Sequence, residues 1–187
     1  FSYEENLHDA IVLSQMFKTL FQLPQPTVVK IQGAAMGDAL GLISCCDIAL
    51  AETGSTFALS EVKIGLIPAA ISPYVVYAIG SRAARRYFAT GERFSVHKAR
   101  ELGLVSEVFD KEGLDVCLDN IVTSVLANSP LATTKAKALV SLVTSRALDQ
   151  DLIEKTCELI ADIRVSDQGQ EGLSAVLEKR KPNWHKQ

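Results

Sequence analysis

Two features of this sequence could do chemistry: a carboxylate set in apolar chain, and a run of small residues that opens a helix. Glu61 follows Phe57-Ala-Leu-Ser60 and precedes Val62-Lys-Ile-Gly-Leu-Ile67. An apolar surround would suit this carboxylate to proton transfer near neutral pH. The ordinary alternative is a carboxylate paired with Lys63 or an arginine, or one that caps a turn. The second feature is the segment Gly33–Cys46, small at its start and apolar afterwards. A strand running through glycine into a helix leaves the first backbone N–H groups of that helix free. Together with the positive end of the helix dipole, such groups can hold a developing oxyanion. Gly33, Gly37 and Gly41 lack the spacing of a dinucleotide-binding fingerprint.

Other side chains offer less. His8 and His97 fall on expected helices beside charged residues, and His185 lies in a polar tail. There is no G-x-S-x-G elbow, and no two ligands share metal-like spacing, so no metal site is expected. Arg82, Arg85 and Arg86 share one broad helix face, and Lys179, Arg180 and Lys181 cluster near the C-terminus. Either group could meet phosphate, although solvated helix faces are the commoner outcome. Cys45, Cys46, Cys117 and Cys157 match no zinc or redox pattern, which points to reduced core thiols in a reducing compartment.

The elements that must position these groups follow from periodicity and punctuation. Residues 4–22 read as an amphipathic helix with Leu7, Ile11, Met16, Leu20 and Phe21 on one face, ended by Pro24 and Pro26. Thr27–Gly33 reads as a strand, Gly33–Met36 as a turn, and a helix starts near Gly37. Asp47–Ala51 is a second short strand, and Phe57–Pro68 is mostly loop around a brief extended piece. Ser72-Pro73 reads as a capped helix start, with Gly80 closing that helix and Ser81 capping the next, which Gly91 ends. Ser95 caps a two-turn helix ending at Gly103, and Leu104–Phe109 is a strand. Helices are expected over roughly 112–128, 130–146, 149–166 and 169–180.

The 187 residues are 48% hydrophobic and 22% charged, an ordinary globular balance that suits one domain, and the strands and helices read above make it α/β. A net charge of −3 argues against a broad grip on nucleic acid. No apolar run reaches the ~18–20 residues of a membrane helix. The opening Phe1-Ser-Tyr-Glu-Glu lacks the order of a secretory signal.

Taken in register, these segments resemble a known family. Pro26-Thr-Val-Val-Lys-Ile-Gln-Gly-Ala-Ala-Met-Gly-Asp-Ala-Leu-Gly-Leu, Cys46-Asp-Ile-Ala-Leu-Ala, and Phe57-Ala-Leu-Ser-Glu-Val-Lys-Ile-Gly-Leu-Ile-Pro68 are similar to the crotonase (enoyl-CoA hydratase/isomerase) family. Ala89-Thr-Gly-Glu-Arg-Phe, Ala99-Arg-Glu-Leu-Gly-Leu-Val and Glu171-Gly-Leu-Ser-Ala-Val-Leu-Glu-Lys-Arg-Lys181 agree in order and spacing. Leu59–Val76 looks most like the branch that hydrates 3-methylglutaconyl-CoA and related branched, carboxylated enoyl-CoAs, which would place the protein in leucine or acyclic isoprenoid breakdown.

The resemblance implies a fold and a site. The fold is a spiral core of stacked ββα turns, with 1–110 its C-terminal part and 111–187 a helical region for oligomerisation as a trimer or hexamer. The substrate is an acyl-CoA thioester with no separate cofactor, since coenzyme A is part of the substrate. The compartment is the bacterial cytoplasm, or the mitochondrial matrix in a eukaryote. Two backbone N–H groups grip the thioester oxygen, one of them at Asp38. Glu61 matches the family's second acidic position. Gly37, Gly41 and Lys179 match substrate-binding positions, Lys179 meeting the CoA phosphates from a neighbouring subunit.

Three departures from the family pattern bear on activity. The other acidic position falls on Gly41, so Glu61 acts alone or with water or the substrate's own carboxylate. The oxyanion turn reads Gly37-Asp38-Ala39 where the family has Gly-Gly-Gly or Gly-Gly-Ala, so the Asp38 carboxylate could compete with the oxyanion. Nothing in the chain corresponds to the family's N-terminal portion, with its first strands and the other oxyanion donor. The expected activity is enoyl-CoA hydration. The alternatives are enoyl-CoA isomerisation by a single glutamate and a non-catalytic acyl-CoA-binding homologue.

Overall fold

In the computed structural model, which describes residues 2–144 and 146–186, short β-branched and small-residue strands recur in pairs, each pair followed by a helical segment. The first pair is β1 (Val28–Ile31) and β2 (Ala34–Met36), followed by α2 (Asp38–Cys45). The second is β3 (Ile48–Glu52) and β4 (Thr56–Ala58), followed by a 3-10 turn at Glu61–Ile64 and then α3 (Ser72–Thr90). Gly33, at φ 77°, turns the chain from β1 into β2, so each pair bends out of one sheet and into another.

The pairs stack in register. β1 and β3 run parallel, Val28 opposite Ile48 and Ile31 opposite Ala51, and β3 is flanked on its other side by the parallel β6 (Glu107–Phe109). In the second sheet β2 and β4 are parallel, with Ala35 opposite Phe57, and β4 meets β5 (Phe94–Ser95) antiparallel. The expected turn at Gly33–Met36 is therefore corrected: Ala34, Ala35 and Met36 form a strand because Thr56–Ala58 offers them a ladder. The loop expected at 57–68 keeps its brief extended start, within β4.

Helix α1 (Tyr3–Phe21) begins with a capping box, the Ser2 hydroxyl accepting from the Glu5 N–H and the Glu5 carboxylate from the Ser2 N–H. Its buried face differs from the expected one. Phe17 is fully buried, and Leu13, Leu20 and Phe21 pack beside it, whereas Leu7, Ile11 and Met16 are exposed. Aromatic packing accompanies this choice: the rings of Phe17 and Phe21 lie 6.1 and 5.3 Å from the Tyr74 ring of α3, tilted against it. The core continues through Leu40 and Ile43 of α2, Phe57, Leu59, Ile71 and Val75.

Gly80 interrupts α3 at φ 74°, ψ 157°, giving the two helices expected, and Gly91 ends the second in the left-handed region. Ser72 is corrected. It is the first helical residue, Pro73 the second, and its hydroxyl donates to the Ala69 carbonyl at 2.8 Å. Ser95 caps α4 (Val96–Glu101) as expected, accepting from the Lys98 N–H. The strand expected from Leu104 starts only at Glu107; Leu104 and Val105 are buried before it.

Two units divide the chain: residues up to Leu23 with Thr27–Leu118, and Pro24–Pro26 with the chain from Asp119 onward. The second is helical, carrying the end of α5 (Lys111–Leu126), then α6 (Pro130–Val143), α7 (Gln150–Val165) and α8 (Asp167–Leu177). Of the helix expected over 130–146, Ser145 lies outside the described residues. The break expected at Gly169 falls instead at Ser166, which caps α8, while Gly169 sits in its first turn. A Cβ at Gly169 would stand 1.9 Å from the Ile163 carbonyl oxygen, so the tight α7–α8 corner requires glycine there. No described helix is long and apolar enough to cross a membrane.

Candidate active site

The parallel β2–β4 register sets the geometry. After Met36 the chain leaves its ladder through Gly37, whose N–H donates to the Ala58 carbonyl at 3.0 Å. Gly37 has φ 57° and ψ −125°, a combination open to glycine and strained for any L side chain. α2 starts at the next residue, so the Asp38 N–H has no intrahelical acceptor, and it has no other among the described residues. The Asp38 side chain is exposed and makes no hydrogen bond among those residues.

Ala58 is followed within three residues by Glu61, at the start of the 3-10 turn. Gly65 closes that turn at φ 80°, and the Leu66 N–H returns to the Glu61 carbonyl at 3.0 Å. This brings the Glu61 carboxylate over the helix start: Oε1 lies 3.5 Å from the point where a Cβ on Gly37 would sit, and Cδ 3.7 Å. Both carboxylate oxygens are shielded from solvent, with no hydrogen-bond partner among the described residues. Pairing with Lys63 or an arginine, which composition allowed, is not made among the described residues. The Lys63 chain runs instead past Gly91, its Cε 3.1 Å from that residue's Cβ position. A buried carboxylate without partners is costly to fold around, so a position that keeps one calls for a chemical reason.

Gly41 is placed differently from the other two turn positions. It is buried in α2, and a Cβ there would meet Ile71 Cγ2 at 2.2 Å and Phe17 Cε1 at 2.9 Å. Core side chains fill the place where a second carboxylate would start. Gly37, Asp38 and Glu61 are brought together; Gly41 is packed away from them.

The basic clusters also separate. Arg86 is held by Glu92, Nε to Oε1 at 2.5 Å and Nη2 to Oε2 at 3.2 Å, and this pair holds the Glu92 carboxyl below the usual carboxylate range. Arg82 and Arg85 are exposed. In the helical unit Arg180 is bound by Glu171 and Glu178, whereas Lys179 is exposed and has φ 54°. Glycine is the usual occupant of such a left-handed helix exit, and a lysine costs about 1 kcal/mol more. The four cysteines are free, but the expectation of core thiols fits Cys45 alone: Cys46 and Cys117 are half-buried and Cys157 is exposed.

A cavity of about 380 Å³ in the helical unit is lined by Leu131, Ile160, Leu173, Val176 and Trp184, among others. No carboxylate is among its lining residues. What sequence reasoning missed at the Gly37 turn is Ala58, whose carbonyl anchors Gly37. Its only signal is strand register, which appears once β2 and β4 are paired.

Stacked ββα turns with a helical C-terminal region are the crotonase fold, and solved structures of it superpose closely. An enoyl-CoA hydratase from Shewanella pealeana does so with a TM-score of 0.94 at 48% identity, over 98% of this chain and 69% of that one. Pseudomonas aeruginosa AtuE gives 0.91 at 30% identity, over 98% and 71%. The enoyl-CoA hydratase/isomerase family model matches residues 5–187, and the chain belongs to that family. Enoyl-CoA hydratase AKT6-1 of Alternaria alternata is 32% identical over 150 residues, 80% of this chain and 50% of its own length. The 2,3-dehydroadipyl-CoA hydratase of Escherichia coli is 27% identical, over 91% of this chain and 67% of its own. The chain spans between 46% and 71% of the length of the first curated relatives it matches.

Proposed function

We propose that the protein hydrates a short, branched or carboxylated enoyl-CoA by stabilising the thioester enolate. One observation carries this reading: the unpaired Glu61 carboxylate lies against the Gly37 turn, where the Asp38 N–H is free. The thioester oxygen accepts from that N–H while Glu61 moves the proton or orients the water. Lys179 of a neighbouring copy meets the CoA phosphates in a trimer or hexamer. The branch that acts on 3-methylglutaconyl-CoA, in leucine or acyclic isoprenoid breakdown, is the finer reading. The matching compartment is the bacterial cytoplasm or the mitochondrial matrix.

A specific observation supports a second reading. Ile71 and Phe17 occupy the place of a second acid at Gly41, and one carboxylate suffices to shuttle a proton in double-bond isomerisation. Two substrates separate the readings. With an α,β-enoyl-CoA, hydration removes the conjugated thioester absorbance. With a β,γ-enoyl-CoA, isomerisation makes it appear. We expect the first signal. The second alone would assign isomerisation, and neither would leave a non-catalytic acyl-CoA-binding homologue.

A further inference from the structure

Lys179 is the one residue other than glycine with positive φ among the described residues. Its turn is a helix exit of the Schellman type: the Lys179 N–H donates to the Val176 carbonyl at 3.2 Å and the Arg180 N–H to the Ala175 carbonyl at 3.0 Å. These bonds form equally well around glycine, so they do not explain a lysine.

The side chains after the turn are tied down. Arg180 binds both oxygens of Glu171, Nη1 to Oε1 at 2.6 Å and Nη2 to Oε2 at 2.9 Å, and its Nε donates to Glu178 Oε2 at 2.6 Å. The Asn183 N–H donates to the same Glu171 Oε1 at 2.8 Å. One carboxylate on α8 thus fastens the chain on both sides of Lys181, and the charge of Arg180 is spent inside the turn. Basic residues at a helix C-terminus ordinarily offset the helix dipole. That role would be met by Arg180 alone, with glycine at 179.

We propose that Arg180 and Glu171 are positioning residues, whose paired fork holds the turn that presents Lys179 to the phosphates of a CoA thioester. The proposal rests on the reading of Lys179 given above. Its cause is mechanical: the fork fixes residues 178–183, so the strained lysine keeps one backbone conformation when its ligand arrives.

The test compares CoA with pantetheine, which has the same thiol arm without phosphates, by NMR titration of the protein at low ionic strength. Arg180→Lys keeps the charge but loses the fork, and Glu171→Gln loses the pair. Each is expected to weaken CoA binding about fivefold to tenfold, as Lys179→Gly does, with pantetheine binding unchanged. If Lys179→Gly weakens CoA binding while Arg180→Lys and Glu171→Gln bind it as the parent does, the positioning role is overturned and the lysine contact stands. If Lys179→Gly binds CoA like the parent, the lysine contact itself fails, and the proposal with it. Equal loss for both ligands marks a general structural defect and also overturns the proposal.

Discussion

Glu61 Oε1 stands 3.5 Å from the point where Gly37 would carry a Cβ. The glycine takes a backbone conformation that side chains resist, and the carboxylate packs directly against it, at the start of α2. Gly37→Ala should cost about 1–3 kcal/mol of stability, because φ 57°, ψ −125° is unfavourable for alanine. It should also lower turnover in molecules that remain folded. Urea unfolding and steady-state kinetics on one preparation check both, and unchanged turnover would separate the glycine from the chemistry.

Gly41 makes the opposite case. Its missing side chain is replaced by Ile71 and Phe17, so Gly41→Ala should destabilise by about 1–3 kcal/mol through overpacking. The same substitution should cost less in an Ile71→Ala background than in the parent, because the two side chains contest one space. Gly41→Glu, which restores the family's second acid in sequence, should unfold the protein rather than add activity. A folded, faster Gly41→Glu enzyme would show that the core yields at this point.

The Asp38 carboxylate sits beside the N–H assigned to the oxyanion, exposed and without a hydrogen bond among the described residues. Its charge opposes the enolate but favours the helix dipole. Asp38→Asn keeps the N–H and removes the charge. Turnover should rise severalfold and helix stability fall by about 0.3–1 kcal/mol. Equal turnover would mean that solvent already screens the carboxylate.

Burial pushes the Cys45 thiol up to about 12, from an ordinary 9.0, with the neighbouring Cys46 thiolate adding to the effect. The folded state keeps this proton where the unfolded chain loses it. The stabilisation is therefore complete below pH 9.0 and declines as pH rises toward 12. Urea midpoints should fall between pH 8.5 and about 10.5, and less steeply in Cys45→Ala. Equal slopes would assign the decline to other groups. At neutral pH, iodoacetamide should label the exposed Cys157 well before Cys45.

Part of the local punctuation was legible in the sequence, though not the Ser72 cap or the break placed at Gly169. The Ser95 cap, the Gly80 break and the Gly91 exit each act through a single residue's own chemistry, and each is found. Features set by distant partners were not. β2 exists because Thr56–Ala58 lies beside it, and the buried face of α1 packs on Tyr74 rather than following its own periodicity. Glu61 and the Gly37 turn could be singled out by composition, but their approach could not, since it depends on the β2–β4 register. The fork between Glu171 and Arg180 spans nine positions across a left-handed turn, for which no sequence spacing gives a signal.

Glu61→Gln is the most direct measurement. It preserves side-chain size while removing the charge and the proton-transfer function. The turnover number for an enoyl-CoA should fall about 100-fold to 10,000-fold, while the dissociation constant for the thioester stays within about twofold. Turnover at the parental rate, or a parallel loss of binding and turnover, would contradict the role assigned to this carboxylate.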